Sequence, residues 1–596
     1  MFTSGNKFDL CSIPYSGRDS KMVLHEDAET RKLYLTFGRS AAPEIERRNL
    51  IYMTPVIDHK DIVKWDYTVE PGKLTINTVA GSIELCFAEP KRLRIRGKGR
   101  VSLRFYISGM KQFENGSPKE DGSVEVIYEI LGKLLFVPVK GALRQDSFWN
   151  HNAVKADDFT IDLVPSVESD GFEAAIHEYY ANGERDKSYP PFDECVAKVE
   201  KEFDAFYKAV APGKNAEIEK LAAWTLWSNH VPVERRMKAP AYYSSKMGLL
   251  RAVGWQHGFI GMALKKDPAT MYEALMALFA YQEAGGQIPN NMSDLAEDHI
   301  TAGSPMQGLA LQYLLPEIFA LPADKKEALY NAMSGYAGWW LKSHSRDGSG
   351  IPQYYHPDEC GFIDATSFIW GVPLQAPDLM AWLILFAEAC GKLADNLGKD
   401  GSCWANEAKR LTDVLVSEFW KGDGFVYRNA RTGKEFRTNS VLGLLPVILG
   451  KRLPADILEV LAADIADESK FMTSGGVVSE KLSSKEFKLE GTKLRGGINP
   501  AIQLAIACGL KDGGYEDLAK EIAEKTCALA LETGLGDSIP PFAFDPGTGK
   551  SLFSENRYLS EEEKKNRFRD EAREPKTAVC WTSAGAAGVL GLIGLL

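Results

Sequence analysis

The residues best suited to chemistry lie in one stretch, 345–379, in which carboxylates stand among aromatic and imidazole rings. The carboxylates are Asp347, Asp358, Glu359 and Asp364, and the rings belong to Tyr354, Tyr355, His356 and Trp370. Carboxylates can move protons or accept hydrogen bonds from sugar hydroxyls, and rings pack against the apolar faces of sugars. Irregular loops longer than about 12–15 residues are usually functional or disordered, and the aromatic content disfavours disorder. The stretch therefore predicts a carbohydrate site, with a packed structural loop as the alternative.

The composition is typical of a soluble globular protein with more than one domain. Of the 596 residues, 45% are hydrophobic and 25% are charged, and the net charge is −11. An acidic chain without a basic stripe argues against a nucleic-acid partner or an anionic membrane surface. The nine cysteines form no CxxC pair, and zinc spacings, Walker loops and GxGxxG are absent, so we predict no metal and no cofactor. An odd cysteine count without an export signal predicts reduced thiols and a cytoplasmic location.

The first third of the chain has the pattern of β-structure. Segments such as LRIRGKGRVSLRFYISG alternate apolar and polar residues, and Gly, Asn, Asp and Pro separate them. We therefore predict that residues 1–200 form an antiparallel β-sandwich followed by a linker helix.

From about residue 192 the hydrophobic period becomes helical, and twelve helical segments follow within 211–596. They are predicted at 215–229, 245–264, 268–284, 304–320, 325–343, 377–397, 404–420, 438–449, 454–465, 500–508, 515–533 and 578–596. The links after even-numbered helices are short, and those after odd-numbered helices are long. Six hairpins in a ring, an (α/α)6 toroid with its long loops at one end, explain this alternation. An open superhelix is the alternative, but no repeat of fixed length supports it.

Five blocks of region 211–596 resemble bacterial glycosidases of the six-hairpin superfamily. They begin with WQHGFIGMALKKDPATMYEALMALFAYQEAGGQIPNNMSD and continue with PQYYHPDECGFIDATSF, PLQAPDLMAWLILFAEACGKLA, LRGGINPAIQLA, and PFAFDPGTG with CWTSAG. Their order and spacing are similar to those of glycoside hydrolase family 63, the trehalases and mannosylglycerate hydrolase. The resemblance implies a glycosidase domain on an (α/α)6 barrel.

The chain departs from the family pattern where the acid and the base stand. The family's GWDNAT segment carries the general acid, and Ile363 occupies that position here, with Asp364 following it. The family's closing motif carries the general base, and Phe542 occupies that position. Gln256 replaces the Asp of the family's WDH-type helix. An inverting glycosidase needs one carboxylic acid and one carboxylate, so this chain has relocated its carboxylates, changed its reaction or lost hydrolysis.

We predict Asp364 as the general acid and Asp537 as the carboxylate that activates water, with Glu359 and Asp545 as substitutes. Burial of Asp364 among Phe362, Phe368 and Trp370 would raise its pKa, as a proton donor requires. The resemblance also implies substrate-binding residues, namely Trp255, Gln256, His257, Tyr354, Tyr355, His356, Arg495 and Trp581.

The leading hypothesis is a glycosidase that cleaves a small glycoside or oligosaccharide by an inverting mechanism. Two alternatives remain open on the same barrel. One is a carbohydrate-binding pseudoenzyme, favoured by the apolar residues at positions 363 and 542. The other is a sugar lyase or isomerase with Tyr354, Tyr355 or His356 as its base. The expected partner is a carbohydrate, and the sequence leaves the oligomeric state open.

Overall fold

A computed structural model of the chain describes residues 8–541 and 580–596, except positions 28–29, 31, 40–49, 109, 167–169, 182, 184 and 489–493. Its first part consists of β-strands, and its second part consists of helices joined by long loops. None of the described helices combines the length and the apolar character needed to cross a bilayer.

The N-terminal part is an antiparallel sandwich of two sheets, as predicted. Its strands are β1 Met22–Glu26, β2 Leu33–Phe37, β3 Ile51–Ile57, β4 Lys60–Asp61, β5 Trp65–Val69, β6 Leu74–Thr78, β7 Gly81–Glu89, β8 Arg92–Gly99, β9 Ser102–Ile107, β10 Asn115–Pro118, β11 Val124–Tyr128, β12 Gly132–Lys140, β13 Ala142–Asn150, β14 Lys155–Val164 and β15 Gly171–Tyr179. One sheet has the order β1-β2-β3-β9-β14-β13, with β4 paired to β3, and the other has the order β10-β11-β12-β15-β8-β7-β6-β5.

The alternation read from the sequence directs every second side chain into the sandwich core. In β9, Leu103, Phe105 and Ile107 are buried, and the residues between them keep some exposure. The ring of Phe105 meets Phe136 of the opposite sheet edge-to-face, at 5.1 Å between centroids. Apolar contacts between the two inner faces therefore hold the sheets together.

The helices follow after α1, Phe192–Val210, which packs on both the sandwich and the next helix. They are α2 Ala216–Asn229, α3 Gly254–Ala263, α4 Pro268–Met276, α5 Gln307–Tyr313, α6 Leu315–Phe319, α7 Ala323–Ser343, α8 Pro377–Asn396, α9 Ser402–Val414, a 3₁₀ helix Val441–Arg452, α10 Ala455–Ala466, α11 Pro500–Asp512, α12 Glu516–Thr533 and α13 Ser583–Leu595. α5 and α6 together form one arm of a hairpin, so the described chain contains the twelve arms that the sequence predicts.

The inner arms form a closed ring. α3 packs on α5, α5 on α8, α8 on the 3₁₀ helix, the 3₁₀ helix on α11, and α11 on α13. α13 packs in turn on α3, which closes the ring and distinguishes the (α/α)6 toroid from an open superhelix. The remaining arms lie outside this ring. The close approach of α13 needs small residues, because a Cβ on Gly588 would lie 2.4 Å from the backbone of Pro500.

Among the predicted helix boundaries that differ from the observed ones, three differ for identifiable local reasons. The second arm starts at Gly254 rather than at residue 245, because Ala252–Val253 pairs as a strand with Asn291–Met292. The eighth arm is a 3₁₀ helix with Pro446 inside it, where the missing N–H removes an α-helical hydrogen bond. The last arm starts at Ser583, where the side chain of Thr582 caps the helix by accepting from Gly585 N.

The long connections lie at the end of the barrel where the inner arms begin. Short strands join neighbouring connections there. Gln353–Tyr354 pairs with Leu374–Gln375, which pairs with Tyr427–Asn429. These pairings bind the 344–376 connection to the next one and give the long loops at this end of the barrel a regular frame.

A buried ion-pair network joins the sandwich to two of these loops. Arg39, which is 1% exposed, donates hydrogen bonds to Glu178 of β15 and to Asp294 and Glu234 of the barrel loops. Its three carboxylate partners satisfy the planar donor fork of the guanidinium. The ion pairs belong to both domains, so neither domain can move without separating buried charges.

Lys21 completes the network from the sandwich side. Its ammonium donates to the Tyr243 hydroxyl at 2.6 Å and lies 3.5 Å from Asp294, and the Tyr243 hydroxyl donates to Asp294 at 3.0 Å. Burial lowers the pKa of Lys21 to about 8, whereas Lys21 and Arg39 hold the pKa of Asp294 down at about 2 against its own burial. Asp294 therefore remains ionised and binds the 285–303 connection to the sandwich.

Replacing Arg39 by Met should lower the free energy of unfolding by about 3–5 kcal/mol, because Glu178 would stay buried without its cation. The midpoint of urea-induced unfolding measures this change. Arg437→Met is the control, since the ion pair of Arg437 with Asp423 is exposed and solvent screens it. A midpoint shift for Arg39→Met no larger than that of the control would contradict a role for the network in stability.

Candidate functional site

Asp537 lies at the corner where the ring of inner helices closes. Its Oδ2 accepts from Gln256 Nε2 of α3 at 3.1 Å, and its Oδ1 accepts from the hydroxyl of Thr582, the residue that caps α13. Desolvation raises the pKa of Asp537 to about 6, and the two hydrogen bonds oppose this rise. Asp537 also keeps some exposed surface. A carboxyl with these properties can hold or release a proton near neutral pH.

Gln256 lies in the first turn of α3, which fixes its position. Its Nε2 also contacts Ser244 Oγ at 3.2 Å, and the side chain is buried. The two neighbouring residues serve the fold. His257 donates from Nδ1 to Val253 O at 2.9 Å and accepts at Nε2 from Tyr242 N, and burial lowers its pKa to about 4. Both ring nitrogens of His257 are therefore already engaged.

The two tryptophans expected at the site belong to its wall. Trp255 is buried and meets Phe259 edge-to-face at 6.0 Å between centroids. Trp581 is buried beside Gly534, where a Cβ would lie 2.2 Å from the indole Nε1. Gly534 also has a φ of 106°, which favours glycine. Both rings are packed inside the protein, so neither offers an open binding platform.

Within the 345–379 stretch, Glu359 stabilises a turn. Its Oε1 pairs with His344 Nε2 at 3.2 Å, and its Oε2 accepts from the N–H groups of Tyr355 and His356. The exposed His356 accepts at Nδ1 from Asp358 N, which completes a capping box. The side chain of Glu359 is thus buried with both oxygens engaged.

Tyr354 and Tyr355 also have partners within the loop. The hydroxyl of Tyr354 donates to Asp378 Oδ2 at 2.8 Å, and Tyr427 donates to Oδ1 at 2.7 Å. Burial raises the pKa of Asp378 to about 6. Tyr355 is partly buried, and its hydroxyl accepts from Arg346 N at 3.3 Å. Sequence reasoning missed Asp378, for which the PD pair at the start of α8 was the available signal.

The structure brings Asp364 and Arg495 together. Asp364 Oδ1 accepts from Leu494 N at 3.1 Å, and its Oδ2 pairs with Arg495 Nε at 3.4 Å. Arg495 also pairs through Nη1 with Glu486 at 2.8 Å. The expected apolar enclosure is incomplete, because Trp370 is 49% exposed.

Glu480, on the same loop as Arg495, is fully buried. Its oxygens accept from Thr366 Oγ1 at 2.8 Å and from Ser484 Oγ at 2.6 Å. Desolvation raises its pKa. Glu480 therefore joins the two loops that carry Asp364 and Arg495. The predicted substitute Asp545 and the replaced position Phe542 lie outside the described residues.

The family model of the mannosylglycerate hydrolase MGH1-like glycoside hydrolase domain matches residues 251–558, just over half of the chain. Among solved structures, a bacterial glucoamylase complexed with acarbose is similar at 11% identity, with a TM-score of 0.57, over 99% of this chain and 95% of that one. The family 63 mannosylglycerate hydrolase of Thermus thermophilus, complexed with Tris and D-glycerate, aligns at 14% identity with a TM-score of 0.49, over 63% of this chain and 99% of that one. None of the curated proteins matches the sequence.

Replacing Gln256 by Met should raise the pKa of Asp537 further, by roughly one pH unit, because a donor that stabilises the carboxylate is lost. Infrared titration of the protonated carboxyl band measures the change, and Asp537→Asn identifies the band.

Gln503→Met is the matched control for this titration. Gln503 is equally buried, but it bonds only to the backbone of Val477. An unchanged Asp537 band in Gln256→Met, or an equal change in the control, would contradict the assignment.

Proposed function

Because this chain belongs to the mannosylglycerate hydrolase MGH1-like glycoside hydrolase family, we propose that this glycosidase hydrolyses a small glycoside or oligosaccharide with inversion at the anomeric carbon. Asp537 donates the proton to the leaving oxygen, and Asp364 activates the attacking water. The observation that carries this proposal is the desolvated setting of Asp537, which raises its pKa to about 6. Carboxyls in contrasting environments suit the acid and base roles of such a reaction.

The contrast between the two carboxyls supports this division of roles. A proton donor must be protonated when substrate binds, and removal from water favours the neutral form of Asp537. Asp364 is ion-paired with Arg495 and suits the role of base. This assignment reverses the roles expected from the sequence, where Asp364 was the acid, because that expectation required an apolar enclosure of Asp364.

Bond changes in the proposed step balance without a co-reactant. Water attacks the anomeric carbon and gives one proton to Asp364 as the glycosidic bond breaks. The leaving oxygen takes the proton of Asp537. Exchange with solvent restores both groups, and the products are a free sugar and an alcohol.

Substrate contacts are proposed for the groups that keep exposed surface at this end of the barrel. Arg495, 24% exposed in its side chain, can donate to sugar hydroxyls from its guanidinium. Tyr355 and His356 line the neighbouring stretch. The buried Trp255, Gln256, His257, Tyr354 and Trp581 support the site from behind.

A cytoplasmic location also belongs to this proposal. All nine cysteines are free thiols, five of them buried. Reduced cysteines are usual in a reducing compartment, which supports the location expected from the sequence.

Asp537→Asn and Asp364→Asn should each lower kcat/KM on alkyl glycosides by at least about 10²-fold, the scale of a lost acid or base. The two variants differ in how they are rescued. Dinitrophenyl glycosides have leaving groups that need no proton, so they should restore turnover to Asp537→Asn but not to Asp364→Asn. Free sugar measured over a panel of α- and β-glycosides follows the reaction.

Rescue of Asp364→Asn alone would contradict the roles, and full activity of both variants would contradict both assignments. An unsaturated product would indicate a lyase. Absence of turnover by the parent on every glycoside, despite binding, would contradict hydrolysis itself.

The kcat/KM of the parent should fall about tenfold for each pH unit above pH 6, because Asp537 loses the proton that it must donate. If Asp537 were the base, kcat/KM would instead fall below pH 6, so the side of the decline distinguishes the roles. Asp378→Asn is the matched control, since burial also raises the pKa of Asp378 to about 6. The decline should persist in that variant on alkyl glycosides, and it should be absent when the parent acts on dinitrophenyl glycosides, whose leaving groups need no proton from Asp537.

A further inference from the structure

Strand β13, Ala142–Asn150, forms an open edge of the sandwich. It is the last strand of its sheet and pairs on one side only, with β14. In an antiparallel pair every second residue directs its N–H and C=O toward the partner strand, so the alternate residues of β13 direct theirs away from the sheet. No other described segment bonds to this side of β13 through its backbone. The strand therefore presents a row of backbone donors and acceptors on which a further strand can pair.

The strands at the other ends of the two sheets are short or covered, as is usual in natural proteins. All five residues of β1 are buried. β5 has five residues, and β10 has four and ends at Pro118, which has no N–H to donate. β13 has nine residues, contains neither proline nor lysine, and has no buried residue. Among these edges, β13 is therefore the most open to pairing.

The exposed side chains of β13 include one cation and one anion. Arg144 and Asp146 are two residues apart, so they lie on the same face of the sheet, and both are exposed. Neither forms an ion pair within the described part of the chain. Asp162, opposite Arg144 on β14, is already bound by Arg104 through both carboxylate oxygens. The two charges of β13 are thus accessible to another molecule.

The charges of β13 are complementary to those of a second β13. When two copies pair antiparallel about a twofold axis at Gln145, Arg144 of each copy lies opposite Asp146 of the other. Side chains directly opposite each other in such a pair lie about 4.5–5.5 Å apart at Cβ, which allows opposite charges to attract. The pairing of β13 with β14 is regular from Ala142 to Asp146 and becomes irregular only beyond them, so the segment that carries both charges has regular strand geometry.

Two exposed aromatic side chains follow the charged segment. Phe148 and Trp149 are 65% and 48% exposed. Adjoining apolar side chains on a surface are typical of protein contact sites. Their place next to the open edge adds apolar contact area to the hydrogen bonds and charges of the strand.

We propose that β13 is the interface of a homodimer, in which two copies of this chain join their sheets edge to edge through residues 142–146. The same strand serves both copies, so the contact closes on itself and forms a dimer rather than a filament. Within each copy β13 packs on β14 and β12 of the sandwich, and none of the proposed catalytic residues belongs to it. The dimer is therefore independent of the proposed hydrolysis.

Sedimentation velocity of the full chain at concentrations up to about 100 µM tests the dimer, because it detects dissociation constants in that range. The parent should sediment as a dimer that dissociates on dilution. Arg144→Asp and Asp146→Arg should each weaken association by at least about tenfold, because each change places like charges opposite each other twice in the dimer. A parent that stays monomeric, or variants that are as dimeric as the parent, would overturn the proposal.

Mixing the two variants distinguishes a lost interface from an effect on folding. A pair made of one Arg144→Asp chain and one Asp146→Arg chain has opposite charges at both contacts, so the mixture should form dimers that neither variant forms alone. Arg100→Asp is the matched control and should dimerise as the parent does, since Arg100 lies in the same domain, is 75% exposed and pairs with an exposed carboxylate. A mixture that stays monomeric, or an equal loss of dimer in the control, would contradict the assignment of the interface to β13.

Discussion

The closure of the inner helical ring by α13 is the constraint on which the candidate site depends. α13 lies between α11 and α3, and Gly585 and Gly588 permit contacts that a Cβ would obstruct. The two donors to Asp537 come from the helices that meet there, Gln256 from α3 and Thr582 from the start of α13. The packing that completes the barrel therefore also shields Asp537 from much of the solvent, which raises its pKa.

The sandwich supports the same corner of the barrel. Tyr243, which contacts Lys21 of the sandwich, accepts through its backbone oxygen from Ser583 Oγ at 2.6 Å. Ser583 follows Thr582 directly. The buried charges at the domain junction and the hydrogen bonds around Asp537 are thus neighbours in one continuous network, which gives the sandwich a physical part in positioning the site.

The site combines residues that stabilise the fold with few that remain available to a ligand. The polar atoms of His257, Tyr354 and Glu359 are hydrogen-bonded to other protein groups, so these side chains make the site rigid. Asp537 and Asp364 differ from these residues, because each keeps some exposed surface. They also differ from each other in the charges and hydrogen-bond donors that surround them. Fixed surroundings and contrasting environments are what the acid and base roles proposed for these two carboxyls require.

The sequence by itself determined the period of each element and the alternation of link lengths. The hydrophobic period follows from the local geometry of helices and strands, so the sequence could predict the sandwich and the twelve barrel arms. The alternation of link lengths predicted which end of the barrel carries the long loops. A predicted helix boundary was wrong where the chain pairs with a distant segment instead. At 245–253, Ala252–Val253 forms a strand with Asn291–Met292, and the helix begins only after it.

Only the tertiary structure decided which polar atoms are already engaged and which carboxyl is desolvated. Gln256 and Asp537 are 281 residues apart, and Arg39 and Asp294 are 255 apart. A sequence pattern describes the neighbours of a residue along the chain, whereas the pKa of a carboxyl depends on its neighbours in space. The recurrence of carboxylates and aromatics on the long loops therefore led to the prediction of a carbohydrate site, whereas the roles proposed for Asp537 and Asp364 rest on surroundings that only the closure of the ring creates.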